Sequence, residues 1–178
     1  MVRITFYLES SMPLRPIAAV LFMCLSGAGL FHNAAAQQKE GAPVAIKRIL
    51  TLDNAKAILA AAHEEARKNG WPGAIAVVDD GGWLVAAERM DNAATTVGPV
   101  VAIEKARTAA LFKRPSADLE NAINNGRPAA ITAPGLVMME GGLPIVVDGQ
   151  VIGAIGVSAD TKAHDSQIAR AGLAAVKP

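Results

Sequence analysis

The chain has 178 residues, 17 basic against 16 acidic, with 52% hydrophobic residues and a single cysteine. So even a charge balance excludes the concentrated cationic face that nucleic-acid binding requires. The lone Cys24 excludes a disulfide framework or a cysteine-based zinc site.

Residues 1–36 read as a secretory signal peptide. Arg15 precedes the apolar run Ile17 to Phe31, and Ala34-Ala35-Ala36 supplies the small residues of a cleavage site before Gln37. Met12 serves equally well as a start, and the 15-residue run is shorter than the roughly 20 residues that span a bilayer. Cleavage removes Cys24, Tyr7 and three of four phenylalanines and leaves 15 basic and 15 acidic residues. The expectation is an exported chain, periplasmic or secreted, without stable membrane insertion after cleavage.

Residues 37–47 form a polar lead-in interrupted by Gly41 and Pro43, and 48–178 are read as one domain. From Thr51 the apolar residues Leu52, Ala55, Ile58, Leu59, Ala62 and Ala66 keep helical spacing; Thr51 caps and Gly70 ends a helix over 52–69. Ala74 to Val78, the turn Asp79-Asp80-Gly81-Gly82 and Trp83 to Arg89 predict a hairpin, since Asp and Gly tolerate tight-turn backbone. Pro99 opens a helix whose Ala102, Ala106, Ala109 and Ala110 make a stripe of small residues. Pro115 breaks it, and Ser116 caps a short helix to about Asn124.

Residues 129–139 are ambiguous, with LVMM at 136–139 a candidate fifth strand limited by Pro134 and Gly135. A second hairpin turns at Asp148-Gly149, and Asp160 or Thr161 caps a helix over about 162–176. Gly153 and Gly156 weaken the last strand and so imply a close approach by a helix, a subunit or a planar ligand. The fold class is α+β: one antiparallel sheet of about five strands built from two hairpins, with about four helices packed on it.

No serine of the mature chain lies in a nucleophile elbow, and GQVIGAIG is neither a phosphate loop nor a dinucleotide fingerprint. Imidazole and thioether ligands reduce to His63, His164, Met90, Met138 and Met139; pattern alone favours an edge histidine at 63, a solvated helix start at 164 and core filling by the Met138-Met139 pair. On the central helix Lys105, Thr108 and Phe112 share a face with Val101, Arg107 lies to the side, and Arg89 ends the first hairpin. That set reads either as a pocket for a carboxylate-bearing ligand or as a solvated face with Arg89 paired to Glu88 or Asp91.

The blocks IAVVDDGGWLVAAERMDNA, IEKARTAALFKRPS and EGGLPIVVDGQVIGAIGVSAD resemble, in order and spacing, the GlcG/HbpS family of haem-binding proteins, which includes the C-terminal domain of PduO-type proteins. The resemblance spans about residues 48–176. It implies haem, or a similar tetrapyrrole or other small planar ligand, a homo-oligomer, and a role in haem storage, sensing or protection. It also makes Thr108 the candidate contact to haem iron or its bound water, with Lys105 and Arg107 as partners of the propionates. Trp83 stands where relatives often carry His or Asn, and its indole could stack on a porphyrin. Two other classes are retained. One is an enzyme on a small carboxylic acid, with Arg89 or Lys105 holding the carboxylate and Asp79 or Glu140 moving a proton. The other is a purely structural module whose glycine strand packs subunits.

Overall fold

A computed structural model describes residues 44–176; the signal-peptide reading and Cys24 lie outside the described residues. Four helices and four strands follow in the order α1 (Leu52–Asn69), β1 (Ala74–Asp79), β2 (Leu84–Arg89), α2 (Gly98–Phe112), α3 (Ser116–Asn124), a 3-10 turn (Pro128–Thr132), β3 (Gly142–Val147), β4 (Gln150–Ser158) and α4 (Lys162–Leu173). The class is α+β. The strands form one antiparallel sheet in the order β2-β1-β4-β3, so the two hairpins meet along β1 and β4.

Local chemistry sets most of these elements as the sequence suggests; Ser116 is the exception, since Pro115 holds the cap position of α3 and the Ser116 hydroxyl donates to Met139 O and accepts the Gly142 N–H instead. Thr51 Oγ1 accepts from Asn54 N, and Gly70 closes α1 in the left-handed region at φ 69°. Asp79 Oδ1 accepts the N–H groups of Gly81 and Trp83, both at 2.9 Å, and so caps the first hairpin turn from within. In the second, Asp148 and Gly149 both have positive φ, the backbone of a type I′ turn. Thr161, of the two residues expected to cap α4, is the one whose hydroxyl accepts from His164 N.

The sheet has unlike faces. Ile75 and Val77 of β1 join Ile155 and Val157 of β4 on the side covered by α1 and α4, where Ile58, Leu59 and Ile168 complete an aliphatic core. On the other side Val78 and Ala154 meet Ala106, Ala109 and Ala110, and Ala74 and Ala76 meet Ala102. The alanine stripe therefore lets α2 lie almost backbone to backbone on the sheet. A Cβ at Gly156 would collide with the carbonyl oxygen of Ala102 and lie 2.5 Å from Ala106 N. A Cβ at Gly142 would collide with the carbonyl of Lys105. Of the approaches the strand glycines imply, Gly156 thus receives a helix of its own chain.

The sheet has four strands, not about five. Leu136–Met139 joins no ladder, because side chains satisfy its backbone and that of the next residue: Thr108 Oγ1 takes the Val137 N–H at 3.1 Å, Ser116 Oγ donates to Met139 O at 2.6 Å, and Glu120 Oε2 accepts Glu140 N at 2.6 Å. The last helix also ends at Leu173, short of 176.

Candidate functional site

Residues 97, 101 and 105 repeat at the four-residue spacing that aligns side chains on one helical face. They are Val97, the residue just before α2, and Val101 and Lys105 within it, and this stripe forms one wall of a cavity of about 630 Å³. Ile123 of α3, Ile131 of the 3-10 turn, and Leu136, Met138 and Met139 of the 136–139 segment supply further apolar lining. The start of α4 contributes polar groups. The volume falls within the range of about 300–1,000 Å³ typical of small-molecule sites.

Lys105 lies at the base of the cavity, 2% exposed. Its Nζ donates to Asp165 Oδ2 at 2.7 Å and to the Val157 carbonyl at 3.0 Å. Asp165 Oδ1 also accepts Ala159 N at 2.7 Å. Burial pushes the Asp165 carboxyl above its ordinary range, partly offset by the Lys105 ammonium and the Ala159 N–H. Asp165 sits in the first turn of α4, where the sequence suggests a solvated helix start; the structure instead buries it against a cation sixty positions away.

Around this pair stands a second polar group. Lys162 Nζ lies 3.1 Å from Glu120 Oε1 and 3.9 Å from Glu140 Oε2, and Ser166 Oγ donates to Glu140 Oε1 at 2.7 Å. Burial opposes ionisation of Glu120, but the Glu140 N–H and Lys162 outweigh it and hold that carboxyl below its usual range. Asp160 Oδ1 meets His164 Nδ1 at 2.8 Å, and the His164 ring stacks on Trp71 with centroids 3.6 Å apart.

The other residues singled out from the sequence are dispersed. Thr108 is fully buried next to the cavity wall; its hydroxyl bonds the Val137 backbone and lies 2.8 Å from the Glu104 carbonyl. Arg107 extends away along α2, its guanidinium 5.6 Å from the Trp83 ring centroid. His63 Nδ1 lies 3.1 Å from Glu88 Oε2, so Glu88 meets a histidine and not Arg89; His63 Nε2 is buried without a partner among the described residues. Arg89 is exposed at the end of β2. Of Lys105, Thr108, Arg107, Arg89 and His63, only Lys105 lines the cavity, with Thr108 supporting its wall. Glu120 and the buried role of Asp165 carry no sequence signal; Met138, Met139 and Glu140 were visible as residue types without a shared site.

A porphyrin suits this donor set. The cavity offers two thioethers, Met138 and Met139, among branched aliphatic side chains, and methionine sulfur is a haem-iron ligand. Among the described residues no helix is long and apolar enough to cross a membrane.

Residues 50–174 match the HbpS-like family, described as haem degrading protein HbpS-like. The chain is 54% identical to Protein GlcG of Escherichia coli (strain K12) over 112 residues, 63% of this chain and 83% of that protein. Its fold is similar to a double mutant of Streptomyces reticuli HbpS, with a TM-score of 0.69 and 32% identity over 78% of this chain and 99% of the other. It is also similar to a PduOC:Heme complex, with a TM-score of 0.67 and 26% identity over 72% of this chain and 96% of the other.

Proposed function

The chain belongs to the HbpS-like family, and on that membership we propose that it is an exported haem-binding protein, assembled as a homo-oligomer and acting in haem storage, sensing or protection. The observation that carries the reading is the cavity of about 630 Å³, lined largely by apolar side chains that include Met138 and Met139. Its apolar lining gains from covering a hydrophobic ring, at about 25 cal/mol per Å² removed from water.

In this reading Val101, Ile123, Ile131 and Leu136 hold the ring, and Met138 or Met139 offers the soft donor to iron. Haem bound there would supply a redox-active iron centre. Thr108, the candidate implied by resemblance for the iron or its water, acts through the segment it fixes, since its hydroxyl is engaged with Val137. Lys105 remains within reach of a ligand carboxylate only in competition with Asp165.

Titration of the purified protein with haemin tests the proposal. A saturable, shifted Soret band at micromolar ligand is expected, and its absence overturns the reading. Replacing Met138 and Met139 by Leu, singly and together, should alter that band. The mass of the exported product tests cleavage before Gln37, and sedimentation tests the oligomer.

Lys105 and Glu140 both line the cavity, which favours a second reading as a site for turnover of a small carboxylic acid. Consumption of a small hydroxy or keto acid, lost in Glu140→Gln, would support it over haem.

A further inference from the structure

We propose that the cavity selects among tetrapyrroles by charge: it admits a ring edge bearing no carboxylate, and Glu120 and Glu140 reject rings that carry carboxylates on both edges. This rests on the haem-binding reading above. Six ionisable residues line the cavity: four acids, Glu120, Glu140, Asp160 and Asp165, and two lysines, Lys105 and Lys162.

Lys105 and Asp165 cancel each other, being 2.7 Å apart and almost wholly buried. Lys162 is then the sole lysine of the lining left to face Glu120 and Glu140 together, and one ammonium cannot neutralise two carboxylates. Among the described residues Asp160 has only His164 for a counter-charge, and only when that ring is protonated. The polar side of the cavity thus keeps an excess of one or two negative charges.

Both glutamates are held in place, Glu120 by the Glu140 N–H at 2.6 Å and Glu140 by the Ser166 hydroxyl at 2.7 Å, so neither swings out freely when an anion approaches. The ionised state of Glu120 is favoured by its partners. Haem has both propionates on one edge. It can enter with the opposite, hydrocarbon edge leading and leave its carboxylates in water. A ring with carboxylates on both edges cannot do so without placing an anion against the glutamates, where like charges repel.

The test is a pair of titrations followed by Soret absorbance, one with haemin and one with ferric coproporphyrin III, a tetracarboxylate. The wild-type protein should bind haemin at least about tenfold more tightly. The gap should narrow in Glu120→Gln and in Glu140→Gln, and again in about 1 M salt, which screens the wall. Glutamine keeps an oxygen to accept the Glu140 N–H or the Ser166 hydroxyl, and an unchanged circular-dichroism melt reports an intact fold. Equal affinities in the wild type, or a gap unchanged in both variants, would overturn the proposal while leaving haem binding standing. Failure of both rings to bind would overturn the haem reading and this inference with it.

Discussion

Lys105 and Asp165, sixty positions apart in the chain, meet at 2.7 Å beneath the cavity and tie the middle of α2 to the first turn of α4. Removing one partner strands a buried charge. Lys105→Met and Asp165→Asn should each cost about 3–5 kcal/mol, whereas the double variant Lys105→Met/Asp165→Leu should cost less than either. Urea midpoints of the three proteins check this; a double variant less stable than both singles would contradict the desolvation argument.

Gly156 supplies a contrast between two costs of a methyl group. At Gly156 the added carbon meets the α2 backbone, which cannot yield without moving the helix, so Gly156→Ala should destabilise by about 3 kcal/mol or more. At Gly70 the space is open and only the positive φ is strained, so Gly70→Ala should cost about 1–2 kcal/mol. Thermal midpoints of the two variants, measured side by side, give the ordering.

Asp160 and Asp165 should titrate with opposite consequences. Burial disfavours the Asp160 carboxylate, but His164 and the Thr161 N–H outweigh it and lower its value, so its contribution is present above the unfolded carboxyl value of about 3.9 and is lost as pH falls through the folded value. Asp165 is raised, chiefly by burial. Its own contribution is therefore fullest below the unfolded value and is lost as pH rises through the folded one. Asp160→Asn should lower the urea midpoint at pH 6 and match the wild type at pH values below the folded Asp160 titration; Asp160 is exposed, so the difference is expected to be small.

Thr108 should act as a hydroxyl and not as a shape. Thr108→Val leaves the Val137 N–H and a backbone carbonyl without this partner and should cost about 1–3 kcal/mol, with weaker haemin binding as the 136–139 segment loosens. Thr108→Ser should restore both. Denaturation midpoints and Soret titrations of the pair provide the check, and a valine variant matching the wild type in both would remove Thr108 from the site.

The sequence is most readable where a local rule acts alone. Thr51, Gly70 and the Asp148-Gly149 turn announce α1 and the second hairpin because caps and left-handed turns depend on a few adjacent residues. The alanine stripe of α2 and Gly156 could each be read as a site of close approach, and in the structure they meet. The segment at 136–139 misleads because its β-like composition is real, yet Thr108, Ser116 and Glu120 take the hydrogen bonds a neighbouring strand would have offered. The cavity is harder still to foresee. Its lining comes from α2, α3, the 3-10 turn, the 136–140 segment, the end of β4 and the start of α4, and no spacing rule links Lys105 to Asp165 or Glu120 to Glu140.

The seat of α2 on bare glycine reaches beyond folding. The backbone of that helix at Ala102, Lys105 and Ala106 rests on Gly142 and Gly156 while its Val101 and Lys105 side chains line the cavity, so a displacement imposed from the sheet is passed through the rod to the cavity wall. A random-mutagenesis hunt for weakened pigment capture should therefore recover changes at these two glycines, which are not part of the cavity lining, alongside those that line its berth.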